Sequence, residues 1–155
     1  MDILALDLNK YVFRHFYFLE PFANFLIPGG SYTKMIYTHK HFTIHGIYFN
    51  VPLEYTTDAN KVCIQLDKNT ANTKHTIAMM IQLEKDILHQ FKLHKTCITK
   101  SPILSIQKQL LSSKIRVYNL LNESNLLILL NITGVWENET EFGLNYKFIK
   151  AHHGC

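Results

Sequence analysis

Arginine is almost missing from this chain: only Arg14 and Arg116 stand among the 16 basic residues, and the other 14 are lysine. Arginine makes the forked contacts that read base edges, whereas lysine is a flexible point charge. The scarcity therefore argues against sequence reading and leaves room for attraction to a phosphate backbone. Six glycines and four prolines are too few for long linkers, and 47% hydrophobic against 18% charged residues excludes a disordered or collagen-like chain. Three cysteines, Cys63, Cys97 and Cys155, are an odd number and far apart with no CxxC spacing, so neither a disulfide framework nor a zinc ribbon is indicated. The apolar run 126–130 falls far short of the ~20 residues a membrane helix needs. Met1-Asp2-Ile3-Leu4-Ala5-Leu6-Asp7 lacks the basic region and apolar core of a signal peptide. The sequons at Asn122, Asn131 and Asn138 read as chance products of an Asn-rich sequence. We expect an intracellular, reducing location and no membrane partner.

Catalytic signatures are also scarce. There is no G-x-S-x-G elbow, no S-x-x-K, no P-loop and no G-x-G-x-x-G; Gly29-Gly30 is turn chemistry. Glu137, Glu139 and Glu141 alternate in what reads as a solvated polar loop. His39, His41 and His45 stand an even number of residues apart, so a continuous strand would put them on one face, yet i to i+6 spans about 20 Å, too far for one metal. A hairpin bend near Lys40 would shorten this, and His152, His153 and Cys155 could add ligands from elsewhere. A metal-dependent enzyme built on these histidines stands as a third reading. The expectation is no enzyme, no cofactor and no metal.

What is present fits one domain over residues 1–155: 18.1 kDa with a net charge of +4. The charge is uneven. Residues 89–118 carry Lys92, Lys95, Lys100, Lys108, Lys114 and Arg116 with no acid, whereas 123–141 carry Glu123, Glu137, Glu139 and Glu141 with no base. The basic stretch reads either as a phosphate footprint or as an ordinary solvated surface.

Thirteen of the 19 aromatic residues fall between Tyr11 and Tyr55. Strand character marks residues 11–19, 32–38 and 42–51, with a turn at Pro28-Gly29-Gly30-Ser31 and a polar tip at His39-Lys40-His41. Within 42–51, Phe42, Ile44, Gly46 and Tyr48 alternate with Thr43, His45, Ile47 and Phe49, and both faces are apolar. Residues 61–66 form another short strand, with Cys63 as a small buried hydrophobe. The period then changes to a helix over about 74–92, with Ile77, Met80, Ile81, Ile87, Leu88 and Phe91 as its stripe and Asn72 or Thr73 as its cap. A second short helix follows Pro102 within 101–113. Strands return at 114–120, 126–136 and 142–149, the last two joined by a hairpin loop at 137–141. This predicts an α+β, strand-rich domain: an OB-like β-barrel or a small β-sandwich with one principal helix.

Proteins that hold single strands without sequence preference stack bases on aromatic rings beside a basic groove, and the OB barrel is a common platform. Tyr32, Lys34, Tyr37, Lys40, His45, Tyr48 and Phe49 supply such side chains from neighbouring strands, and Lys114 and Arg116 add cations from the basic stretch. Phe rings belong in the core and Tyr rings at the surface, because a hydroxyl wants water or a partner.

The segments 129–137 (Leu-Leu-Asn-Ile-Thr-Gly-Val-Trp-Glu) and 141–148 (Glu-Phe-Gly-Leu-Asn-Tyr-Lys-Phe) resemble the closing hairpin of small single-stranded-DNA-binding proteins of large double-stranded DNA viruses. The helical stretch 81–88 fits the same resemblance. It implies an OB-like fold, protection of unwound DNA during viral replication, a host nuclear or cytoplasmic location, and contacts from Trp136, Tyr146 and Lys147. Many such proteins end in an acidic tail that recruits partners, whereas Lys150-Ala151-His152-His153-Gly154-Cys155 is not acidic. The expected partner is single-stranded DNA, or RNA, bound by a homo-oligomer. The alternative is a structural or assembly protein whose aromatic strands form a protein interface.

Overall fold

A computed structural model of the chain describes residues 5–11, 13–24, 26, 28–57, 63–95, 99–118 and 126–152. The elements run β1 (Ala5–Asp7), a 3-10 turn (Phe13–His15), β2 (Phe16–Phe18), β3 (Phe22–Asn24), β4 (Gly30–His39), β5 (Phe42–His45), β6 (Ile47–Asn50), β7 (Tyr55–Thr57) and β8 (Cys63–Leu66). They continue with α1 (Ala71–His94), β9 (Ser101–Ile103), α2 (Ser105–Leu111), β10 (Lys114–Tyr118), β11 (Leu126–Glu137) and β12 (Glu141–His152). The expectations that touch Lys61, Cys97, Asn122, Glu123, His153 and Cys155 lie outside the described residues.

The long antiparallel pair β11–β12 is the spine of one mixed sheet with strand order β1-β6-β11-β12-β10-β8-β7. β1–β6, β9–β12 and β10–β12 are parallel; the other pairs are antiparallel. At a bulge between Ile132 and Gly134, β11 changes partner from β6 to β4. β4 then carries β2 and β3 as well as β5. The sheet is open: β1 and β7 end its path, and the described strands do not close into an OB-type barrel. The chain is α+β and strand-rich, as its periodicities indicate.

Both helices cover one face of this sheet, here the inner face. Thr73, Thr76, Met80, Leu83, Glu84, Ile87, Leu88 and Phe91 recur every three or four residues along α1 and are all buried. Phe91 meets Phe142 of β12 at 5.6 Å between ring centroids and Phe18 of β2 at 5.3 Å. Phe49, Phe91, Phe142 and Phe148 are wholly buried, each contributing about 1.5–3 kcal/mol through the surface removed from water. Thr70 caps α1, accepting from the Thr73 amide at 3.3 Å, in place of the expected Asn72 or Thr73. Thr73 is already engaged, its hydroxyl accepting from the Glu54 amide at 2.9 Å.

Three expectations change. Residues 42–51 are not one strand. Gly46 has φ +75°, a conformation that glycine adopts at little steric cost, and it divides β5 from β6. The inward phase switches there: Phe42 and Ile44 lie beside His39 and Tyr37, while Ile47 and Phe49 lie beside Ile132 and Leu130. The two apolar faces of 42–51 are therefore two half-strands of opposite phase. The β4–β5 turn likewise separates the histidines, since His39 faces Phe42 whereas His45 pairs with Ile36 on the opposite face. His39 and His41 are neighbours at 5.9 Å between rings. Among the described residues, no three His, Cys, Asp or Glu side chains are grouped as a metal would require. Third, Glu137 is no solvated loop residue. It ends β11 buried, takes a hydrogen bond from Ser31 Oγ at 2.8 Å, and pairs with Lys95 at 3.6 Å and Lys100 at 3.5 Å.

Candidate nucleic-acid interface

Paired residues in neighbouring strands point to the same face, so the register sorts each expected contact onto one side of the sheet. Leu130–Phe148, Ile132–Tyr146 and Val135–Leu144 are pairs on the inner, helix-covered face. Trp136–Gly143, Gly134–Asn145 and Asn131–Lys147 are pairs on the outer face. Tyr32 stands beside Trp136, Lys34 beside Gly134, and Tyr48 beside Asn131, which puts all three on the outer face. Lys114, Arg116 and Tyr118 are the exposed positions of β10, alternating with buried Ile115 and Val117, and the pairing of Tyr118 with Ile149 assigns them to the outer face too.

Five strands thus bring Tyr32, Lys34, Tyr48, Lys114, Arg116, Trp136 and Lys147 to one side. Phe22, unanticipated from the sequence, joins them opposite Tyr32, with ring centroids 5.5 Å apart and the Lys34 ammonium 5.8 Å from its centre. The only hint of it was membership of the aromatic N-terminal third. Arg116 lies 5.2 Å over the ring of Tyr118. Lys34, Arg116 and Lys147 make no ion pair among the described residues.

Two glycines shape the centre of this face. The indole of Trp136 lies against Gly143, and the ring of Tyr32 against Gly134, where a side-chain carbon would also strike the Thr33 carbonyl oxygen. Rings resting on strand glycines fill the surface that the missing side chains leave bare. Tyr32 is held further by its hydroxyl, which donates to Thr133 Oγ1 at 2.7 Å and accepts from Asn145 Nδ2 at 3.3 Å. Farther along, Leu129 and Ile149 of the same face are buried, so the open stretch centres on Trp136, Asn145 and Lys147.

No family model, curated protein or solved structure matches the chain.

The remaining expected contacts lie elsewhere. Tyr37 is buried on the inner face between Phe16 and Phe42, its hydroxyl 3.2 Å from His15 Nδ1, because β4 alternates and odd positions face the core. Phe49 is likewise interior. Tyr146 also faces inward: its hydroxyl is 2.7 Å from Gln109 Oε1 and 3.2 Å from the Ser105 carbonyl. Burial first, and then the negative field of Glu84, push this hydroxyl up to about 12, so it stays protonated as a donor to α2. Lys40 is exposed at the β4–β5 tip, away from the open stretch, and exposed His45 pairs with Ile36 on the outer face. Cys63 opens β8 half-buried, opposite Arg116, and is not interior. The acid-free basic stretch is partly neutralised, since Glu137 holds Lys95 and Lys100. Among the described residues no helix is long and apolar enough to cross a membrane.

Proposed function

We propose that this chain binds single-stranded DNA, or RNA, through the outer sheet face without reading its sequence. The observation that carries this is the convergence of Tyr32, Tyr48 and Trp136 with Lys34, Arg116 and Lys147 on the side free of both helices. Rings offer bases a stacking surface worth about 1–3 kcal/mol per base, and lysines neutralise phosphates. An open sheet serves here as the exposed strand face of an OB barrel would. The two arginines are too few for a base-reading surface. The resemblance of the β11–β12 hairpin to viral single-strand-binding proteins suggests protection of unwound DNA during replication, with no catalytic step and no cofactor. Fluorescence anisotropy of labelled oligo-dT with the wild type and a Lys34→Glu/Lys147→Glu variant tests it. Binding that the variant loses supports the reading, and binding equal in both removes this face from it.

A second reading, an assembly protein, is favoured by one observation. Tyr17, Phe22 and Leu26 expose 51%, 49% and 92% of their surface along the β2–β3 margin of the sheet. Light scattering with and without oligonucleotide separates the two: a large assembly indifferent to DNA favours this reading.

A further inference from the structure

The helical layer carries a second surface that the nucleic-acid reading does not use. A groove of about 250 Å³ opens between the C-terminal half of α1 and the β9–α2 connection, floored by buried Leu88 and Phe142, walled by Pro102 and Leu104, and rimmed by Lys85, His89 and Lys92. The three rim residues follow at i, i+4 and i+7, so they form one exposed column along the helix.

The charge of the two lysines is not taken up internally. Lys95 and Lys100, close by in sequence, are held by Glu137, but Lys85, His89 and Lys92 make no ion pair among the described residues. Asp86, the one acid within this column's stretch of sequence, lies off the groove and accepts a hydrogen bond from Gln82 Nε2 at 2.8 Å.

The lining narrows the class of anion. Phe142 is 0% and Leu88 2% exposed, so no ring face is available for a base to stack on. The volume is below the roughly 300–1,000 Å³ of small-molecule pockets, yet it admits one apolar side chain. We infer that this groove docks an acidic segment of a partner protein, with one apolar side chain seated on Pro102 and Leu104 and flanking carboxylates on Lys85 and Lys92. The inference stands apart from the nucleic-acid reading, because the groove lies on the opposite layer of the domain.

The test uses the full chain and a short fluorescein-labelled peptide of Asp and Glu around a central Phe, at low salt. The wild type should bind it, and replacing the Phe by Ala, or the acids by Lys, should weaken binding about tenfold or more. Lys85→Glu/Lys92→Glu, and independently Lys85→Ala/Lys92→Ala, should weaken it similarly while leaving oligo-dT affinity unchanged. Absence of peptide binding overturns the proposal, as does indifference to the central Phe or to both lysine pairs. Loss of oligo-dT affinity in the two variants also overturns it, because it assigns these cations to nucleic acid.

Discussion

The indole of Trp136 occupies the space above Gly143 that a side chain there would need: a Cβ at Gly143 would fall 2.8 Å from Cζ2 of the indole. The glycine therefore sets the position of the one tryptophan in the chain, on strands whose opposite face is packed core. Gly143→Ala should displace the ring and cost about 1–3 kcal/mol by overpacking. Urea denaturation followed by tryptophan fluorescence measures this, and an unchanged midpoint with an unchanged emission spectrum would contradict the contact.

Adjacent residues on β12 should separate cleanly. Tyr146→Phe removes the hydroxyl that holds Gln109 and the Ser105 carbonyl, so it should cost about 0.5–1.5 kcal/mol of stability and leave oligo-dT affinity alone. Lys147→Ala should leave stability alone and lower the salt slope of binding by about 0.7. The reverse pattern would place the wrong one of the two on the interface.

Glu84 is a buried carboxylate with a structural duty. Its Oε2 accepts from the Ile106 amide at 2.8 Å and its Oε1 from the Gln107 amide at 3.0 Å, capping a helix whose own N-cap, Leu104, offers no side-chain acceptor. Burial raises its pKa above the usual 4.5, and the amides of Ile106, Gln107 and Ser105 only partly offset this. The folded state therefore holds the proton more tightly than the unfolded state. That contribution to stability is complete below the unfolded pKa and is lost as pH rises through the raised folded value. The stability of the wild type relative to Glu84→Gln should accordingly fall as pH climbs above about 4.5. Denaturation midpoints of both proteins across that range check it, and a constant difference would contradict a raised pKa.

Glu137 should behave as a tether between β11 and the segment after α1. Glu137→Gln weakens its hold on Lys95, Lys100 and Ser31 and should cost about 1–3 kcal/mol. A chemical denaturation midpoint equal to that of the wild type would show that these contacts contribute nothing net.

Local signals carried the sequence reading furthest. Helix α1 was legible because its apolar residues keep one period from Ile77 to Phe91, and the β11–β12 hairpin because two long apolar strands flank a polar turn. Strand phase was legible only within a segment, so Tyr32, Lys34 and Tyr48 could be proposed, but their common face with Trp136 and Lys147 required knowledge of pairing. Gly46 hid the phase switch, since nothing in 42–51 says that a glycine will adopt positive φ. The tyrosine rule failed at Tyr37 and Tyr146 because a hydroxyl can be satisfied inside, by His15 in one case and α2 in the other. Glu84 and Glu137 were misjudged or missed for the same reason: the groups that justify burying a carboxylate lie 22 to 106 residues away.

The most direct test of the central claim is a titration of the protein with oligo-dT, read by Trp136 fluorescence at several salt concentrations. The account predicts quenching on binding and an affinity that falls with salt by about −0.7 in the log–log slope for each phosphate neutralised. The slope should shrink in Lys34→Ala/Lys147→Ala. An unchanged Trp136 spectrum at saturation, an affinity indifferent to salt, or no binding at low salt would contradict it.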